Sequence, residues 1–365
     1  MATERTSRSS VTVPLRRRLW LWRHGFLTRS GVLYDLEKGT ADQFVSDYRR
    51  FVRTKSINGT WSVALSNKLL FHWMLESVDE HRMPVYGVLR AGRFHPLDAL
   101  DAQTQGVSAV APDGGSTALA DRSAETPGRD AATAVIDRLH EEKRLVLKWI
   151  RGGGGNNVLI CSHVDGEYRI NDERYTEAEF RSLVCDLEEY LVCAFVEQGP
   201  FPTELYPKTP NTVRIVTMYD EEIGEAFVAA AIQRIGTEAS RPMDNFSQGG
   251  LSAEIDVETG ELGPGVTLPR GGNELEWHAS HPDTGVKIDG ARLPAWSTIR
   301  DRVLEVANAR PFVPYVGWDV VVTGDDGEFS IIEGNSYPGL KSIQVHGPLL
   351  TDDRVKRFYE NHGVL

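Results

Sequence analysis

The chain has 365 residues, with 40 Lys plus Arg against 52 Asp plus Glu and a formal net charge of −12. At roughly 150 residues per domain, this length allows two to three lobes, each able to bury an apolar core without disulfide or metal staples. The acidic balance argues against a nucleic-acid binder, which needs a basic surface to displace counterions, while leaving room for a local basic pocket.

Residues 1–14 are polar, rich in Ser and Thr, end in Pro14 and read as a disordered N-terminus. From 15 to 80 the pattern is helical. The segment Leu15 to Arg23 has a basic start but no apolar stretch or small-residue cleavage site after it, and does not read as a secretory leader. It reads as a helix whose Leu and Trp pack into the first lobe, in preference to one lying on anionic lipid. No run reaches the roughly 18 apolar residues of a membrane span, so a cytoplasmic protein with no stable membrane insertion is expected. Leu65, Leu69, Leu70, Trp73, Met74 and Val78 recur at helix spacing, with the start near Ser66 or Asn67. Met83-Pro84 breaks that helix, and Val85 to Leu89 reads as a short strand.

Residues 98–130 read as a loose connection and 130–141 as a helix with Ala134, Ile136 and Leu139 inward. Strands then dominate. Leu145 to Ile150 is an apolar run ending in Arg151 and four glycines, and Val158 to Cys161 is its return strand. A helix over 176–188 leads into the apolar strand Tyr190 to Val196. After a Pro-rich loop at 200–210, strands are expected over 212–219 and 225–235, turns at Gly249-Gly250 and Thr259-Gly260, and a helix over 294–309. The last hairpin pairs Gly317–Val322 with Phe329–Glu333 around Asp325-Asp326-Gly327. Cys161, Cys185 and Cys193 are odd in number, lack CxxC spacing and read as reduced apolar residues. His278 and His281 have no zinc-spaced companions and read as loop histidines.

Three features carry chemistry. Only nine of the 40 basic residues are Lys, so Lys148 inside an apolar strand is conspicuous. It precedes Gly152, Gly153, Gly154 and Gly155, and consecutive glycines let backbone N–H groups approach an anion. Alone, the glycine run reads equally as a hairpin tip. The second feature is the last hairpin, with Asp319 on one strand and Glu333 and Asn335 two apart on the other, hence on one face. Two carboxylates and an amide are hard-oxygen donors suited to Mg²⁺. Third, Arg214 and Arg234 border apolar strands where a paired, functional role is expected, a surface ion pair being the alternative.

Together these features resemble the ATP-grasp superfamily. Ser66-Asn67-Lys68 before Pro84 to Gly87 looks like its first-lysine helix, and Lys148 with Gly152 to Gly155 like its second lysine and lid loop. Tyr190 to Val196 looks like the strand ending in the adenine hinge. Asp319, Glu333 and Asn335, followed by Pro338-Gly339, match the magnesium motif. Asn211 to Arg214, Asp244 to Gly250, His281-Pro282 and Val316 to Asp319 are similar to recurring segments of the sugar-transfer-associated branch.

The resemblance implies an α+β protein whose two α+β subdomains clasp ATP, preceded by a smaller, mainly helical N-terminal lobe. That lobe would span 15–105 and carry Lys68, followed by a connection and helix over 106–142, a lid subdomain over 143–199 and a C-terminal subdomain with the metal site over 200–365. The cofactors implied are ATP and Mg²⁺. Lys68 and Lys148 would hold phosphates, Ala194 and Val196 would read adenine, and Glu197 or Glu204 would take the ribose. Asp319, Glu333 and Asn335 would hold the metal, and Arg214 and Arg234 would stabilise an acyl phosphate. Asp244, Asn245, Gly249 and Gly250 would line the acceptor side. The implied activity is ligation of a small-molecule or peptide carboxylate to an amine or thiol. A small-molecule kinase and a non-catalytic nucleotide-binding partner are the alternatives.

Overall fold

The computed structural model describes residues 13–34, 36–37, 39–97, 129–152, 157–268 and 275–365. The chain folds as two compact units. One comprises Asn67–Trp73 and Met83–Phe195, the other Met1–Ser66, Met74–Arg82 and Val196–Leu365.

The first unit is built on an eight-stranded antiparallel sheet. Its strands are β1 (Val85–Arg90), β2 (Arg93–Pro96), β3 (Arg129–Asp130), β4 (Arg144–Trp149), β5 (Val158–Val164), β6 (Glu167–Ile170), β7 (Glu173–Tyr175) and β8 (Tyr190–Ala194), in the order β3-β2-β1-β8-β4-β5-β6-β7. Alternation along β4 sends Leu145 and Leu147 into a core with Val135, Leu139, Phe180 and Val184. The last four come from the helices Ala131–Glu142 and Glu177–Cys185. Asp130 caps the first helix by accepting from the Thr133 N–H, and Thr176 with Glu179 forms a capping box on the second. Val146 and Lys148 therefore share the other face of β4, and both are buried.

The second unit carries a seven-stranded antiparallel sheet. Its strands are β9 (Val213–Asp220), β10 (Glu225–Ile235), β11 (Leu251–Ile255), β12 (Gly265–Thr267), β13 (Glu276–His278), β14 (Tyr315–Val322) and β15 (Phe329–Asn335), in the order β13-β12-β11-β10-β9-β14-β15. All eight residues of β14 are buried. Val216, Met218, Ile232 and Tyr315 pack against Val355, Phe358 and Tyr359 of the helix Asp353–Asn361. Trp318 is fully buried, and its indole N–H donates to Thr217 Oγ1 at 2.9 Å.

The helical stretch expected over 15–80 is broken into short pieces. Helices cover Leu15–Arg23, Ser30–Leu33, Ser62–Ser66 and Lys68–Met74, with tighter turns between them. Gly25 has a φ of +80° and packs so closely that a Cβ would lie 2.9 Å from Ser46 Oγ. Val78 has φ −130° and ψ 47°, so the helix ends well before Met83-Pro84. The apolar spacing ran on through these breaks, yet Leu70 and Trp73 remain more than a third exposed.

The histidine expectation also changes. His278 lies on β13 rather than in a loop, whereas His281 is the loop residue expected and is buried. His281 Nδ1 accepts from the Asp283 and Thr284 N–H groups, so Nε2 carries the proton and donates to the Gly236 carbonyl at 2.8 Å. Burial holds its pKa below the ordinary value, and Tyr206 stacks on the ring. Among the described residues no helix is long and apolar enough to cross a membrane.

Candidate functional site

In the eight-stranded unit, Lys148 sits near the end of β4 with 7% exposure, its Nζ 3.4 Å from Met83 Sδ. Cys193 lies on the neighbouring strand β8, where Val146 is its partner. Burial pushes its thiol up to about 11, and the ammonium groups of Lys148 and Lys68 partly offset that rise. Both lysines thus act electrostatically on one point of the sheet.

Lys68 opens the helix Lys68–Met74. Asn67 caps it, its Oδ1 accepting from the N–H groups of Leu69 at 3.0 Å and Leu70 at 3.1 Å. Asn67 thus caps the helix without adding a charge. Lys68 Nζ donates to the Gly152 carbonyl, and its N–H bonds the Ile150 carbonyl at 3.1 Å. The lysine is tied to the residues that open the glycine run. Gly152 itself is needed for space, because a Cβ would come 2.9 Å from the Trp149 ring. Gly153, Gly154 and Gly155 lie outside the described residues. At the end of β8 the Ala194 N–H is bonded to the Pro84 carbonyl at 3.0 Å.

In the seven-stranded unit, pairing aligns a row of charged residues. Asp319 on β14 is the register partner of Arg214 on β9 and of Glu333 on β15. Arg234 enters from β10, where Ile232 is the partner of Arg214. The Arg214 guanidinium grips both Asp319 oxygens, with Nη2 to Oδ2 at 2.7 Å, and Arg234 Nη1 lies 3.4 Å from Oδ2. These side chains are 11%, 6% and 13% exposed for Arg214, Asp319 and Arg234, so this is a buried network rather than a surface pair. Burial disfavours the Arg214 charge, but Asp319, with Glu333 and Asp244 beyond it, outweighs that and raises its pKa.

Arg234 is in turn held by Asp244 Oδ1 at 2.6 Å and Asn245 Oδ1 at 2.7 Å. Asp244 Oδ2 accepts from the Thr212 N–H at 2.9 Å and its hydroxyl at 2.5 Å. Asp244 and Asn245 therefore meet Arg234 directly. Gly249 and Gly250 close the turn behind them: Gly249 has a φ of +105°, and a Cβ on Gly250 would lie 2.4 Å from the Asp244 carbonyl oxygen. Thr212 was not among the sequence candidates. Its signal was a hydroxyl two residues before Arg214, on the same strand face. Asn211 is structural, its amide donating to the Pro202 and Tyr206 carbonyls.

Glu333 and Asn335 share a face of β15, as their spacing required, and Asn335 Nδ2 donates to the Gly317 carbonyl at 3.3 Å. Gly317 lets the chain after Asn335 fold back over β14, since a Cβ there would sit 2.6 Å from Pro338 Cβ. Among the described residues no cluster of three or more His, Cys, Asp or Glu forms a metal cage. Two carboxylates and one amide oxygen fit an ion that brings phosphate oxygens and water as its remaining ligands. Glu197 and Glu204 also belong to this unit and are exposed, Glu204 on the helix Pro200–Leu205.

Residues 124–357 match the sugar-transfer associated ATP-grasp family. The chain belongs to this family. The match takes in β3 to β15 and every residue of the buried Arg/Asp network, while Lys68 lies upstream of it. No curated protein matches the chain. Among solved structures, this ATP-grasp chain is similar to D-alanyl-alanine synthetase A from Vibrio cholerae, 12% identical over 82% of this chain and 66% of that one, with a TM-score of 0.40. The ADP complex of the N5-carboxyaminoimidazole ribonucleotide synthetase purK is 13% identical, over 76% of this chain and 46% of that one, with a TM-score of 0.36. The D-alanine-D-alanine ligase from Coxiella burnetii is 12% identical over 82% of this chain and 59% of that one, with a TM-score of 0.35. The chain thus spans about half the length of these last two structures.

Proposed function

We propose that this ATP-grasp protein is a Mg²⁺- and ATP-dependent ligase. It activates a carboxylate as an acyl phosphate and passes the acyl group to an amine or thiol, in the biosynthesis of a small molecule, a peptide or a cell-surface saccharide. The observation that carries the reading is the row Arg234, Arg214, Asp319 and Glu333, in which two guanidiniums stand beside hard-oxygen donors on one sheet.

The lysines Lys68 and Lys148 take the nucleotide phosphates, and the loop opened by Gly152 covers the transferring group and excludes water. The backbone at Ala194 and Val196 reads adenine, and Glu197 or Glu204 takes the ribose. Asp319, Glu333 and Asn335 hold a magnesium ion, which when bound neutralises phosphate charge. Arg214 and Arg234 bind the substrate carboxylate and steady the growing negative charge as its oxygen attacks the γ-phosphorus and ADP leaves. The amine or thiol then attacks the acyl carbon, loses its proton and expels phosphate, which departs with one former carboxylate oxygen.

That oxygen is the test. With ¹⁸O-labelled carboxylate substrate, label is expected in the released phosphate. A stable phosphorylated product with ADP but no free phosphate would replace the ligase with a small-molecule kinase.

A further inference from the structure

The seven-stranded unit contains a cavity of about 1030 Å³ that none of these roles uses. Its walls come from residues 22–27, 41–55 and the last residues of the chain. Four cations line it: Arg23, Arg49, Arg53 and Lys55. Among the described residues none of the four has a carboxylate within ion-pairing distance, in a chain of net charge −12. Elsewhere the arginines find acids readily, as Arg138, Arg181 and Arg302 do with Glu141, Glu177 and Glu305. Of the two acidic side chains in the wall, Asp47 is buried and already accepts from the Leu27 N–H and pairs with Lys341, while Asp42 is exposed. Like charges left unneutralised around one concavity attract an anion.

The same walls carry ring surface. Tyr48 is 53% exposed, although a ring of this size is usually well covered, and Trp22 beside it already has the Arg18 guanidinium 5.3 Å from its ring centre. Guanidinium groups bind phosphate in a fork and also stack on flat rings. Ring surface beside arginines therefore suits a ligand with both features. The volume is at the upper end of small-molecule sites, ample for a ring, a sugar and two phosphates. Arg50 Nε donates to the Pro338 carbonyl at 3.0 Å, and Lys55 Nζ lies 5.2 Å from the Tyr337 ring centre, so this wall is tied to the segment leaving β15.

We infer that this cavity is a second ligand site for a small molecule joining two or more negative charges to a flat ring, the class of nucleoside diphosphates and their conjugates. Arg49 and Arg53 hold the phosphates, and Tyr48 stacks on the ring. The inference stands apart from the ligase reading, since it uses none of the residues placed on ATP or metal.

Calorimetric titration of the whole protein with UDP, pyrophosphate and uridine tests it, in a Lys148→Met background that disables the proposed ATP site. UDP is expected to bind one-to-one, and pyrophosphate and uridine each to bind at least about tenfold more weakly. Adding Arg49→Gln/Arg53→Gln to that background should weaken UDP by at least about tenfold. Three results would overturn the inference: no UDP binding, pyrophosphate as tight as UDP, or undiminished UDP affinity after the two arginine changes. An ADP isotherm identical in the wild type and in Lys148→Met would count against the ligase reading alone, because the UDP arms still decide this site.

Discussion

Arg214 and Asp319 are register partners on β9 and β14, bonded guanidinium to carboxylate although 105 residues separate them in sequence. Asp319 is also the first of the proposed metal ligands, so in this arrangement the cation and the metal have one carboxylate to share. A divalent ion arriving on Asp319 leaves Arg214 buried without its counter-charge until an anion meets it. With Glu333 counted, the two guanidiniums of Arg214 and Arg234 face three carboxylates, Asp319, Asp244 and Glu333, and loading only the ion would turn this small negative excess into a positive one while taking from Arg214 its bonded partner.

Metal and nucleotide are therefore expected to bind together. Titration of the nucleotide-free protein with Mn²⁺ as the probe, followed by spin resonance, should show affinity at least about tenfold weaker than with ADP present. Arg214→Gln removes the competitor, so nucleotide-free Mn²⁺ binding should tighten while turnover falls. Unchanged Mn²⁺ affinity in that variant would mean that Asp319 is not the shared ligand.

Glu333 is only partly buried, which makes it the cleaner probe of the metal itself. Glu333→Gln is expected to lower turnover by roughly 100-fold, about 2.7 kcal/mol of transition-state stabilisation. Its urea midpoint should stay near that of the wild type. The Mg²⁺ concentration needed for ADP binding should rise in parallel, giving a readout independent of turnover.

Asp244 acts through Arg234 and Thr212. Asp244→Asn would turn an amide N–H₂ toward one of these donors, with an expected cost of about 3 kcal/mol in urea unfolding. Thr212→Val removes only the hydroxyl donor and should cost about 1 kcal/mol. A positioning role also requires that Asp244→Asn depress kcat more than it raises the KM for ATP.

The parts of this site that could be read from sequence are those set by local spacing. Glu333 and Asn335 share a face because strand geometry repeats every two residues, and the apolar runs around Lys148 and Asp319 marked β4 and β14 before any contact was known. The Arg214–Asp319 bond depends on how β9 pairs with β14, and nothing near either residue encodes that register. The same limit explains Asp244, whose partners Thr212 and Arg234 lie 32 and 10 residues away. In the N-terminal region the failure was of another kind. Helical periodicity describes where apolar side chains fall, and it does not register a backbone turn such as Gly25 at φ +80°.

Lys148→Met separates nucleotide binding from folding. Met has nearly the length of Lys, and the site is already lined by the Met83 thioether, so stability should change by less than about 1 kcal/mol. ADP affinity should fall by at least about tenfold if Lys148 meets the phosphates. Wild-type affinity in a folded variant would move the phosphates away from β4.

His346 supplies a pH dependence that is independent of catalysis. Burial lowers its pKa to about 4, and its Nε2 lies 3.0 Å from Ser252 Oγ, whose own proton is directed to the Ser342 carbonyl at 2.6 Å. The imidazole therefore donates from Nε2 and is neutral in the folded protein near pH 7. In the unfolded chain it titrates near the ordinary value of about 6.5. The folded pKa is the lower one, so the contribution to stability is fully present above the unfolded pKa. It is lost as pH falls from about 6.5 to about 4, because the unfolded state takes up the proton first. The gap corresponds to an order of 3 kcal/mol. Unfolding free energy measured in urea at pH 7 and at pH 4.5 should fall more in the wild type than in His346→Gln, whose amide can still donate to Ser252 but does not titrate. Equal losses in the two proteins would place the acid sensitivity elsewhere.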